Sequence, residues 1–205
     1  MTDSMIDNRN DLRALYGEPG ERAVKKQLPR LDKHCRNFIA ISPFCVIGSS
    51  GADGTTDCSP KGDAPGFVKV LDDNTLIVPD RIGNNRVDTL SNVVENPNVA
   101  LLFFVPGMNE TLRVNGRAEI TTDPALLEPL AVKARAPKSG LLVTVVDAYL
   151  HCAKALIRSD LWNTETQIDR ASFPSMGRMM ADQIDGLDVA DAEKYTEESI
   201  RNRLY

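Results

Sequence analysis

Val99-Ala100-Leu101-Leu102-Phe103-Phe104-Val105, then Pro106-Gly107-Met108-Asn109, then Thr111-Leu112-Arg113-Val114-Asn115-Gly116-Arg117-Ala118-Glu119-Ile120 carries the strongest pattern in the chain. Its first part is a continuous apolar run, entered through Asn96-Pro97 and closed by a Pro-Gly turn. A short apolar run between such breakers reads as a strand buried on both faces, hence central in a sheet. The part after the turn reads as the next strand, with Thr111, Arg113 and Asn115 on one face and Leu112 and Val114 on the other.

The neighbouring segments extend the pattern in both directions. Upstream, Val87 to Glu95 reads as a helix stopped by Asn96-Pro97, because the residue before proline disfavours the helical region. Before it, Gly66 to Leu71 and Thr75 to Val78 read as a hairpin turning at Asp72-Asp73-Asn74. Phe38 to Ser49 reads as a further strand, with the cluster from Ser50 to Gly54 as its turn. Residues 1–37 read as short polar helices: Leu12, Leu15 and Tyr16 at helical spacing, a break at Gly17 to Gly20, a second helix from Glu21, and a third over Leu31 to Asn37. Downstream, Asp123-Pro124 reads as a helix cap and first turn. Leu141 to Val146 is the last clear strand, and Ser175 to Ile184 and Ala190 to Leu204 read as helices. Short strands with hairpin turns and one inserted helix predict a small closed or partly closed β-barrel with peripheral helices, mainly β within the α+β class.

Composition fits one domain with terminal additions. The chain has 205 residues, 42% hydrophobic and 26% charged, and 24 Lys and Arg against 29 Asp and Glu leave a net charge of −5. That balance predicts no general nucleic-acid binding, since neutralising phosphates calls for a basic surface. No apolar run approaches the roughly 20 residues of a membrane helix. The polar, acidic stretch Met1 to Asn10 reads as neither a signal nor a transit peptide. The expectation is a cytoplasmic protein with no membrane partner. Cys35, Cys45, Cys58 and Cys152 form no CxxC pair and read as small buried thiols. The pairs His34-Cys35 and His151-Cys152 are poor metal sites, because adjacent residues do not readily ligate one ion, and no metal is expected.

Polar clusters that interrupt the apolar strands are where chemistry would sit. Asp57-Cys58-Ser59-Pro60-Lys61-Gly62-Asp63 offers a hydroxyl and an ammonium. Pro79-Asp80-Arg81-Ile82-Gly83-Asn84-Asn85-Arg86 runs into a predicted helix. A Gly/Asn loop at a helix N-terminus presents backbone N–H groups, and Arg86 adds a fork of donors, so this is a candidate phosphate site. It lacks the Gly-Lys-Ser/Thr ending of a P-loop. The face of Thr111 and Arg113 is a third candidate. The fourth is the run from His151 to Trp162: as a helix it would align His151, Lys154, Arg158 and Trp162 into a cationic stripe able to cover an anionic, planar ligand. A strand beginning after Ala153 would also put Lys154 and Arg158 on one face. Each cluster has a plain alternative: a solvated turn, a loop of residues tolerant of left-handed backbone, or surface charges that contribute little.

The order of these motifs resembles a known family. Ser59-Pro60-Lys61-Gly62-Asp63, Pro65-Gly66-Phe67-Val68, Pro79-Asp80-Arg81, Gly83-Asn84-Asn85-Arg86, Asn96-Pro97-Asn98-Val99 and Leu112-Arg113-Val114-Asn115-Gly116-Arg117-Ala118 resemble the pyridoxamine 5′-phosphate oxidase-like, FMN-binding split-barrel proteins. The run from His151-Cys152-Ala153-Lys154 to Trp162 resembles a bacterial branch of FMN-dependent enzymes within it. The resemblance implies a six-stranded split barrel over residues 38–165, with an N-terminal helical extension (1–37) and a C-terminal helical segment (166–205) packed on the barrel. It implies a homodimer with FMN at the subunit interface and a small-molecule substrate. By motif position it implies that Ser59, either Lys61 or Lys69, and then Asn84, Asn85 and Arg86 hold the phosphate. Val78, Pro79 and Asp80 would line the ribityl chain or ring, and Thr111 and Arg113 would reach the flavin from the partner chain. His151, Lys154, Arg158 and Trp162 would cover it. Arg113 or Lys61 would be the cation at the pyrimidine edge that stabilises reduced flavin.

Two departures from the family pattern argue against synthesis of pyridoxal phosphate. The closing Arg-x-His element is absent, and Ala64-Pro65-Gly66 stands where an arginine is usual. No general acid or base is conspicuous. The readings left open are an FMN-dependent oxidoreductase, a split barrel binding F420 or haem, a flavin-binding sensor or store without turnover, and a β-barrel interaction module without a cofactor.

Overall fold

The computed structural model describes residues 5–205, and residues 1–4 of the polar N-terminal stretch lie outside it. Three short helices come first: α1 (Arg9–Tyr16), α2 (Glu21–Lys25) and α3 (Lys33–Ile41). The strands follow as β1 (Phe44–Ser50), β2 (Thr56–Gly62), β3 (Lys69–Asp72) and β4 (Thr75–Pro79), then helix α4 (Asp88–Glu95), β5 (Asn98–Phe104) and β6 (Thr111–Thr121). Helix α5 (Pro124–Leu127) precedes β7 (Gly140–His151), and α6 (Lys154–Ser159), α7 (Met176–Gln183) and α8 (Val189–Asn202) close the chain.

The strands form one antiparallel sheet in the order β2-β1-β5-β6-β7-β4-β3. Its register explains both faces. Ser59, Ile47, Leu101, Val114 and Ala148 lie in one cross-strand row, and Ile47, Val114 and Ala148 are fully buried. The next row, Pro60, Val46, Leu102, Arg113 and Tyr149, points the other way and is half-buried or exposed. The split of Arg113 from Leu112 and Val114 expected from alternation is therefore present. Helix α3 covers the core face with Cys35, Phe38 and Ile39, joined by Leu31, and α4 adds Thr89 and Val93.

Several sequence expectations are corrected. Phe38 to Ile41 finish α3 and are not strand. Cys35, Phe38 and Ile39 share a helical face, the Asp32 side chain caps that helix on the Cys35 N–H, and Ser42 before Pro43 takes up extended backbone and ends it. The sheet has seven strands where six were expected. The additional one is β2, whose polar residues read as a candidate site cluster or a solvated turn and not as strand; it is an edge strand with alternating exposure, where Pro60 is tolerated. β7 runs on to His151 because the long β6 pairs with it to Thr111. The helical stripe through His151 and Trp162 does not form: His151 ends a strand, and α6 stops at Asp160 with φ 49°. The reading of all cysteines as buried holds for Cys35 and Cys45, whose thiols burial pushes up to about 11 and about 12, while Cys58 and Cys152 are exposed. Among the described residues no helix is long and apolar enough to cross a membrane.

Candidate functional site

Strand β2 and the β4–α4 connection enclose a cleft of about 250 Å³. The pleat of β2 turns Asp57, Ser59 and Lys61 together to its half-buried side. The connection from Asp80 to Val87 closes the cleft and needs left-handed backbone at Asn85 (φ 60°) and Val87 (φ 54°). Asn is among the residues that accept this conformation; for β-branched Val87 it is strained. The Asn84 carboxamide oxygen accepts from the Arg86 backbone N–H at 3.1 Å and holds the turn. Val87 is the N-cap of α4 and supplies no side-chain cap, so the first turn of that helix, which lines the cleft, keeps donors for an anion.

Six of the residues singled out in the sequence meet here: Ser59, Lys61, Asp80, Asn84, Asn85 and Arg86. What the motifs did not show is how the carboxylates pair with the cations and the hydroxyl there. Lys61 Nζ lies 3.9 Å from Asp80. The Arg86 guanidinium donates through Nε to Asp88 at 2.8 Å, and this bond, with the charges of Asp88 and Asp57, raises its pKa. The buried Thr89 hydroxyl donates to Asp57 at 3.2 Å.

A second cavity of about 400 Å³ shares Asp80, Arg81, Gly83 and Asn85 with the cleft and is completed by the loop of residues 132–138 and Tyr205. Arg81 is fixed between them: its Nε donates to Asp63 at 2.6 Å and a terminal nitrogen to the Leu130 carbonyl at 2.8 Å. The Tyr205 hydroxyl donates to the same carboxylate at 2.7 Å. Burial would raise the Asp63 carboxyl, but the bonds from Tyr205 and the Ala64 N–H and the neighbouring Arg81 outweigh it and hold it below the ordinary carboxylate range. Nothing local in the sequence foretells a contact between positions 63 and 205.

Thr111, Arg113 and His151 gather elsewhere, on the outward face of β6 and β7, where Thr111 pairs with His151 and Arg113 with Tyr149. Arg113 donates to the Tyr149 hydroxyl at 3.0 Å and stands over its ring, and Lys26 covers the same ring at 5.5 Å. Lys26 arrives because Leu28 bridges to Ala148 along the edge of β7. His151 Nε2 is buried with no hydrogen-bond partner among the described residues.

The other expected residues are dispersed. Val78 is 2% exposed and belongs to the core cluster, and Pro79 is also buried. Lys69 borders a hollow of about 150 Å³ with Asp63 and Arg81. Lys154 and Arg158 are exposed on α6, and Trp162 is anchored by its indole N–H to the Met108 carbonyl at 2.7 Å.

Likeness to known proteins is remote in sequence. HupZ of Group A Streptococcus superposes at a TM-score of 0.48, 18% identical over 58% of this chain and 92% of its own. An FMN-binding protein of Syntrophomonas wolfei gives 0.45, at 13% identity over 70% and 96% of the two chains. An F420 reductase gives 0.41, at 19% over 57% and 94%. No curated protein matches the chain. The pyridoxamine 5′-phosphate oxidase family model matches residues 31–152, the span that holds the sheet and the cleft, and the chain belongs to that family.

Proposed function

We propose that the protein binds FMN and works as an FMN-dependent oxidoreductase on a small molecule, as a homodimer with the flavin at the subunit interface. One observation carries this reading: Ser59, Lys61, Asn84, Asn85, Arg86 and the uncapped start of α4 converge on a single cleft. These groups fit a ribityl phosphate, with a hydroxyl, two cations and free helix N–H donors in one place. Lys61 and Arg86 neutralise the phosphate, Ser59 and the Asn84-Asn85 turn orient it, and Arg81 stands at the passage to the larger cavity. The outward cluster of Thr111, Arg113 and His151 serves the partner's flavin, with Arg113 as the cation for the pyrimidine edge. Lys154, Arg158 and Trp162 extend that cover, and Lys69 lies behind Arg81. Bound FMN supplies the electron-accepting ring, so this chain need supply only binding, orientation and charge. The charge balance of the cleft speaks against F420, whose acidic tail asks for more cations than stand here. The departure at Ala64-Pro65-Gly66 speaks against pyridoxal phosphate as product.

The test is a titration of the purified protein with FMN, followed by visible absorption and flavin fluorescence. Saturable binding with a perturbed flavin spectrum is expected, and protein that neither carries nor takes up FMN overturns the reading. Arg86→Ala is expected to weaken FMN binding about tenfold or more, the loss of a charge-assisted hydrogen bond; unchanged affinity removes Arg86 from the phosphate site.

A further inference from the structure

The charges of the cleft cancel. Lys61, Arg81 and Arg86 line it together with Asp57, Asp80 and Asp88. Each cation already has a carboxylate: Asp80 for Lys61, Asp88 for Arg86, and Asp63 outside the cleft for Arg81. Asp88 is the first residue of α4. There its negative charge sits at the helix N-terminus, beside the free N–H donors that an incoming phosphate would use. Its side chain is 43% exposed and that of Asp80 30%, so neither carboxylate is fixed by burial. A dianion entering this cleft gains the cations only by displacing, or lying beside, two anions that hold them. A carboxylate beside each cation lowers the net positive charge that the cleft offers a phosphate.

We infer that Asp80 and Asp88 are internal competitors for the phosphate, and that the protein therefore holds FMN as an exchanging ligand and not as a permanently retained group. This rests on the flavin reading above and adds to it how the flavin is used: it is taken from and returned to solution. The carboxylates also bias the cleft by charge, since they repel a more acidic tail more strongly than a single phosphate.

The experiment compares FMN with riboflavin, which has the ring and ribityl chain and no phosphate, on the full chain and on Asp88→Asn and Asp80→Asn/Asp88→Asn. Affinities come from fluorescence titration, retention from desalting of the saturated protein, and folding from circular dichroism. FMN is expected to bind saturably and to be lost on desalting. Asp88→Asn is expected to tighten FMN about two- to fivefold, the range of one exposed ion pair, with riboflavin affinity unchanged, and the double variant is expected to tighten FMN more than riboflavin. FMN that stays bound through desalting overturns the inference and leaves the flavin reading standing. So does an Asp88→Asn protein, folded as the parent, that binds FMN no more tightly, or that shifts FMN and riboflavin alike. Failure of the parent chain to bind either flavin overturns both.

Discussion

Burial first, and then the positive charges of Arg113 and Lys26, push the His151 imidazole below its ordinary value. The folded chain thus keeps His151 neutral at a pH where the unfolded chain, with an ordinary histidine pKa near 6.5, takes up a proton. The unfolded state binds more protons in that window, so stability falls as pH drops through about 6.5 and levels off below the folded value. The expected outcome is a lower urea midpoint at about pH 5.5 than at about pH 7.5, with the difference reduced in His151→Asn. Equal pH dependence in the two proteins would show that other groups set it. At the same scale, the candidate phosphate residues were legible because Gly83 to Arg86 is contiguous and runs straight into a helix. The carboxylate partners were less so: whether Asp57 or Asp88 turns toward the cleft depends on the pleat of β2 and on the first turn of α4.

Elements were legible wherever a breaker or a cap sits beside an apolar pattern. Asp123 does cap α5, accepting from the Ala125 N–H at 2.9 Å, and α4 does end at Asn96 before Pro97. β2 was not legible, since Thr-Asp-Cys-Ser-Pro-Lys-Gly has little strand propensity and is held by pairing with β1 from Phe44 to Ser50. The C-terminal pair α7 and α8 gives an element-scale prediction. A Cβ on Gly177 would lie 2.6 Å from the Glu193 Cα, so the two helices touch where only glycine fits. Ser175 adds a hydrogen bond to Glu193 at 2.7 Å. Gly177→Ala is expected to force the helices apart and to destabilise the pair by about 1–3 kcal/mol, the usual scale of overpacking. Hydrogen exchange should rise in residues 176–202, and the sheet should keep its protection. Unchanged exchange there would mean that the helices accommodate the methyl by sliding.

The whole molecule presents a second apolar surface on the outward side of its sheet. Phe44, Val46, Leu102 and Phe104 lie there on adjoining strands, and the Phe44 and Phe104 rings stand 6.0 Å apart. A contiguous patch of this kind is a surface for association, and the Arg113 and His151 cluster adjoins it. The proposed homodimer is expected to show twice the chain mass of 22.5 kDa by light scattering. Leu102→Asp, on this outward face and not in the core, is expected to yield folded monomer with weakened FMN binding, because the partner's Arg113 would be withdrawn. A monomeric parent protein with full flavin affinity would contradict the shared site.

Local pattern alone specifies the strands β4 to β6, the hairpin and helix stops between them, and the contiguous Gly83 to Arg86 segment. These follow from alternation, breakers and caps that act over a few residues. Long-range pairing is what makes β2 a strand, carries β7 to His151, brings Lys26 over Tyr149, and gives Asp63 both Arg81 and Tyr205. Those follow from cross-strand register and burial, which join residues distant in the chain and so leave no mark in local spacing.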